Sequence, residues 1–76
     1  MQFRVMNRSG DDQKIFDTTD ATAVDAAMEE FHNLVGKGRM LAYEPGQNGN
    51  PGQVRMSLDR NNLPEVVIFT PQLIGG

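Results

Sequence analysis

The chain has no cysteine and no tryptophan, and only one histidine and one tyrosine among its 76 residues. Without cysteine there can be no disulfide, zinc–thiolate site or thiol nucleophile, and the composition fits a reducing compartment. His32 has no second histidine or cysteine with which to share a metal, and it reads as a surface residue on the polar side of a helix. No apolar run approaches the roughly 20 residues that cross a bilayer, and the stretch from Met1 lacks the basic flank and apolar centre of a signal peptide. A soluble, cytoplasmic protein is therefore expected. Basic residues are also scarce: seven Lys and Arg against ten Asp and Glu leave a net charge of −3. Phosphate binding would call for a basic stripe, so nucleic acid is not expected as a partner, and with no spanning run neither is a membrane.

What charge there is lies unevenly. Asp11, Asp12, Asp17, Asp20, Asp25, Glu29 and Glu30 fall within 11–30, where only Lys14 opposes them, while arginines stand at 4, 8, 39, 55 and 60. A dipolar surface follows, able to orient a charged partner. Catalytic constellations are missing. Glu29 and Glu30 are adjacent and so diverge on a helix, and the glycines of 45–52 lack the Lys-Ser/Thr of a phosphate loop. No nucleophile, base and orienting group can be assembled, and a chain this short has no room for a deep cleft between subdomains, so no enzyme is expected.

Read in order, 2–7 alternates with period two, placing Phe3 and Val5 on one face and Arg4 and Met6 on the other. A turn at 9–12 leads to a second, edge strand over 13–17, making a hairpin. The period then changes: Val24, Ala27, Met28, Phe31, Leu34 and Val35 recur at three and four, which predicts one amphipathic helix over 21–35. Asp20 or Thr22 would cap it, and Gly36 would supply a left-handed stop. A third strand spans 39–43, a Gly/Pro loop 47–52, and a fourth strand 53–59 with Val54, Met56 and Leu58 on one face. Finally 65–69 is apolar without alternation, as expected of a central strand buried on both sides.

The order strand, strand, helix, strand, strand, strand predicts an α+β fold with one helix covering a mixed four- to five-stranded sheet, whose first and last strands form the parallel central pair. This is the β-grasp arrangement, over a domain of 1–70. Phe3, Val5, Val54, Met56 and Leu58 would meet Val24, Met28, Phe31 and Val35 in a thin core. Arg55 and Ser57 would then face away. Arg4 and Met6 would join them, with Leu41 and Tyr43 if Met40 and Ala42 point inward, giving an apolar patch rimmed by arginine as a partner-binding surface. The reverse register, with Leu41 and Tyr43 in the core, stands open beside it.

Beyond this domain, 71–76 reads as a tail: Phe69-Thr70-Pro71-Gln72-Leu73-Ile74-Gly75-Gly76 runs from strand formers through proline to two glycines. Glycine has no Cβ and can thread a narrow channel, and a main-chain carboxylate with a reference pKa of roughly 3.5 is ionised at neutral pH. A β-grasp domain whose last strand runs into Gly-Gly resembles ubiquitin and its prokaryotic relatives: the thiamin sulfur carrier, the small subunit of molybdopterin synthase and the bacterial ubiquitin-like modifiers. In the molybdopterin synthase subunit aromatics, prolines and a hydrophobic residue likewise precede Gly-Gly. Leu73 and Ile74 stand where ubiquitin has basic residues.

The resemblance implies that the Gly76 carboxylate is adenylated from ATP by a separate activating enzyme, with no cofactor bound by this chain. The acyl group then passes to a partner cysteine and on to an amine or hydroxyl of a target, or accepts sulfide and becomes a thiocarboxylate for a sulfur-accepting enzyme. Conjugating and deconjugating enzymes are implied as further partners. Gly75 and Gly76 would enter the enzyme's channel, and Gln72, Leu73 and Ile74 would bind along it as an extended segment. Leu73 and Ile74 could instead fold back to finish the core. The alternative reading is a β-grasp binding module that is never conjugated and holds another protein through its sheet face or a strand edge.

Overall fold

A computed structural model describes residues 1–7, 10–46 and 52–71. One helix packs on a mixed five-stranded sheet. The strands are β1 (Gln2–Asn7), β2 (Gly10–Ile15), β3 (Met40–Glu44), β4 (Gln53–Arg55) and β5 (Val66–Pro71), and the helix, α1 (Ala21–His32), lies between β2 and β3 in sequence. Across the sheet the order is β2-β1-β5-β3-β4. The β1–β5 pair is parallel, with Phe3 opposite Val67 and Val5 opposite Phe69, and the other pairs are antiparallel. The last strand in sequence is thus the middle strand in space.

The core lies between the helix and one face of the sheet. Phe3, Ala27, Phe31, Ala42, Leu58, Val67 and Phe69 form its buried cluster, with Met1, Val5, Phe16, Met28, Leu34, Val35 and Met40 packed against it. Aromatic rings hold the centre: Phe3 meets Phe69 edge-on at 4.9 Å and Phe16 at 5.0 Å, and Phe31 meets Phe69 at 5.6 Å. Their geometry sets the positive edge of one ring against the negative face of the next. Alternation along β5 and β1 feeds these rings to the helix. Ala42 is buried on the same face, which settles the third strand: Met40 and Ala42 point to the core, Leu41 and Tyr43 away.

Three local expectations are corrected. The hairpin is tighter than the turn cluster implied, since pairing runs to Asn7 opposite Gly10, and Asp11 and Asp12 belong to β2. Gly10 takes φ +132°, a backbone conformation that side-chain-bearing residues rarely adopt. The α-helix ends at His32 and continues as a π-helical turn over Asn33–Lys37, closed by the Gly38 N–H donating to the Asn33 carbonyl at 2.8 Å. Gly36 is therefore not a left-handed stop; the positive φ falls at Arg39 (+50°). Gly38 is needed for close approach instead, because a Cβ there would sit 2.7 Å from the Leu34 carbonyl oxygen.

The largest correction is β4. It has three residues rather than seven, and the chain bends at Met56 and Ser57. Val54 pairs with Tyr43 and is 55% exposed, Met56 is 76% exposed, and only Leu58 reaches the core. A bend resets the period-two alternation, so apolar residues on either side of it need not share a face. Nor is β5 covered on both sides. Val67 and Phe69 are fully buried, while Val66 and Ile68 are half-buried on the face the helix leaves open.

Candidate functional site

That open face is the most distinctive surface among the described residues. The registers align one row across all five strands: Gln13, Arg4, Ile68, Tyr43 and Val54. Nearer the end of β5, Met6 stands opposite Asp11 and Leu41 opposite Thr70. Met6 is 40% exposed and Leu41 and Tyr43 are half-buried, so the face is apolar and reachable. Four of the five residues expected on a docking face, Arg4, Met6, Leu41 and Tyr43, are brought together on it.

Arg55 is not among them. It lies opposite Ala42, on the helix side of the sheet, and donates to the Glu44 carboxylate from Nε at 2.6 Å and Nη2 at 2.5 Å. Its displacement has the same cause as the exposure of Val54: β4 is phased one residue away from the expectation. Arg4 does stand on the open face, where it is tied to Asp11 (Nη2–Oδ2 2.6 Å, Nε–Oδ2 3.2 Å). The Arg4 hydrogen bond holds the Asp11 carboxyl below its ordinary range; desolvation opposes it, and a hydrogen bond from Gln13 and the Arg4 charge add to the lowering. The expected arginine rim is thus a pair of local ion pairs.

Sequence reasoning missed Val54, Val66 and Ile68 as members of this face. The signal was available: 65–69 carries apolar residues at both parities, and a fold with one helix can cover only one of them. The face is bounded at the far end of β3 and β5 by a shallow cavity of about 110 Å3 lined by Glu44, Pro45, Gly46, Glu65 and Val66. Among the described residues no cluster of three or more His, Cys, Asp or Glu could hold a metal. His32 is exposed, its ring edge-on to Phe31 at 6.0 Å. No described helix is long and apolar enough to cross a membrane.

The tail residues Gln72, Leu73, Ile74, Gly75 and Gly76 lie outside the described residues. Where the chain departs for them is described. Pro71 ends β5 opposite Met40, at a strand terminus where the N–H that proline lacks is least needed. Two residues earlier Phe69 is completely buried among Phe3 and Phe31. Leu41 and Met6 lie beside the end of β5 on the open face. The chain matches no protein-family model, no curated protein and no solved structure.

Proposed function

We propose that this chain is a ubiquitin-like β-grasp protein that acts as an acyl carrier through Gly76. The carrying observation is that β5, whose end lies five residues before Gly76, is the middle strand of the sheet, parallel to β1 and pinned by the buried Phe69. An anchor of that kind suits delivery of a terminus into another protein's active site. One helix on a mixed sheet with the order β2-β1-β5-β3-β4 is compatible with the β-grasp. The uncovered face around Leu41, Tyr43 and Ile68, adjoining the exit of the tail, offers an activating enzyme somewhere to rest.

In this reading the chain supplies the acyl group and the partner supplies catalysis. A Gly76 carboxylate oxygen attacks the α-phosphorus of ATP, the bond to the bridging oxygen of the β-phosphate breaks, and pyrophosphate leaves. The resulting acyl-adenylate loses AMP to a thiol of the partner, giving a thioester for transfer to a target amine or hydroxyl, or to sulfide, giving a thiocarboxylate. ATP is consumed in the enzyme, and this chain binds no cofactor.

The reading requires a free carboxylate on Gly76, which the intact mass of the natural protein measures. Incubation with ATP and a candidate activating enzyme should then add an adenylyl group, exchange oxygen for sulfur, or yield conjugates mapped to Gly76. Deleting Gly75 and Gly76 should abolish all three. Leu41→Asp should weaken transfer about tenfold or more by placing a charge in the docking face, while the half-buried site costs the fold about 1–2 kcal/mol and leaves it folded. A second reading, a binding module that is never conjugated, is favoured by the same apolar face independently of the tail. Normal partner binding after the deletion, with loss on Leu41→Asp, would establish that reading in place of the first.

A further inference from the structure

We propose that the free edge of β2 pairs with the same edge of a second copy of this chain, antiparallel and in a single register centred on Gln13. The hydrogen bonding of β1 decides which groups are on offer. The Met1 amino group donates to the Phe16 carbonyl at 3.0 Å and the Phe16 N–H donates to the Met1 carbonyl at 2.8 Å. In an antiparallel ladder such pairs alternate with pairs that exchange no bonds. The main-chain groups of Gly10, Asp12 and Lys14 therefore turn toward β1, and those of Asp11, Gln13 and Ile15 point outward from the sheet.

β2 is the outermost strand, all six of its residues are exposed, and Ile15 is 81% exposed. Its register with β1 is unbroken and it contains no proline. β4, at the other edge, has only three residues. A long regular edge invites strand addition, and proteins commonly discourage it with charge. Here the charges select a partner.

A two-fold axis normal to the sheet keeps both helices on one side, so residues facing each other across the new pair must share parity. Centred on Asp11 or Ile15, near its ends, β2 would overlap its copy over only three residues or one; centred on Asp12, the strands would set Asp12 against Asp12 of the second copy at a closely spaced position, and centred on Lys14 they would oppose two lysines. Like charges directly opposite destabilise a sheet. Centred on Gln13, each Asp12 faces Lys14 of the second copy, twice by symmetry. The outward groups then form hydrogen-bonded pairs, Gln13 with Gln13 and Asp11 with Ile15. Lys14, already 3.0 Å from Glu30 on the helix side, is half-exposed and can serve both carboxylates.

Five paired residues a side is far fewer than the roughly 20–30 of a standard complex, so association is read at high concentration, up to about 1 mM. Sedimentation equilibrium and concentration-dependent amide shifts should reveal a dimer, with the shifts concentrated at 10–16. Lys14→Asp should weaken association about tenfold, because both cross-strand pairs become repulsive. Combining it with Asp12→Lys should restore association, since the swapped charges again face their opposites. Gln13→Pro should abolish the dimer and leave the monomer folded, as the N–H it removes points away from β1. A monomer throughout the range, association of Lys14→Asp equal to that of the parent, or shifts centred on the open face would each overturn the proposal.

Discussion

Replacing Phe69 by leucine measures how far the core is organised around the strand that leads to the tail. Phe69 is fully buried and makes two edge-on ring contacts, with Phe3 at 4.9 Å and Phe31 at 5.6 Å, both at 67°. Such a contact contributes about 1 kcal/mol beyond the area it buries, and leucine keeps most of the apolar volume, so the loss is about 2 kcal/mol. A domain of this length has a total stability of roughly 4–11 kcal/mol, so the variant stays folded but loses a large fraction. Each kcal/mol shifts the midpoint of a small domain by roughly 4–8 °C, giving a fall on the order of 10 °C in thermal melts followed by far-ultraviolet circular dichroism. Phe16 is the control. It is half-buried and touches only Phe3 among the described rings, at 5.0 Å, so Phe16→Leu should cost about half as much. An equal or larger loss at Phe16 would refute the placement of Phe69 at the centre of the core.

Two further predictions concern single side chains. Asp20 caps the helix by accepting the Thr22 N–H at 3.0 Å, so Asp20→Ala should cost about 1 kcal/mol in the same melts, whereas Thr22→Ala should be nearly neutral because only the Thr22 main chain takes part. Asp17 accepts the Thr19 hydroxyl at 2.6 Å and the Thr19 N–H at 2.9 Å, and these bonds, the hydroxyl first, hold its carboxyl below the ordinary range. Because the folded value lies below the unfolded one of about 3.9, the contribution is complete above the unfolded value and disappears as pH falls through the folded one. Asp11 behaves in the same sense. Melting temperature should therefore hold from neutral pH to about 5 and decline below about 4, with a shallower decline in Asp17→Asn. An identical acid limb in that variant would remove Asp17 from the account.

Elements with a sustained period were legible in the sequence. The spacing of Val24, Ala27 and Phe31 located the helix, alternation located β1, and the wish of a buried, unalternating 65–69 for a central place matched the middle position of β5. Boundaries that depend on local hydrogen bonding were not legible. Nothing in Asn33–Lys37 announces an i to i+5 bond rather than i to i+4, and the role of Gly38 is set by the Leu34 carbonyl it approaches. At β4, alternation of Val54, Met56 and Leu58 was genuine in sequence but was cut by a bend, which took Arg55 from the expected docking face and put Val54 on it. The open face itself was half legible: Arg4, Met6, Leu41 and Tyr43 followed from alternation, whereas Ile68 and Val66 were credited to two-sided burial that a single helix cannot provide.

The parallel pairing of β1 with β5 also governs when the molecule can become itself. Gln2 must find Val66 and Val5 must find Phe69, across more than sixty residues of intervening chain. Before that, the hairpin and helix can form from local contacts, but the sheet has a vacancy in its middle and Phe3 has no Phe69 to close on. During synthesis the N-terminal elements wait for the last segment to emerge, exposing a half-built apolar core meanwhile. A chain truncated before β5 would therefore fail as a whole rather than lose an appendage. β5, the last of the described strands to be made, is also the one that completes the sheet, which ties the closing of the core to its arrival.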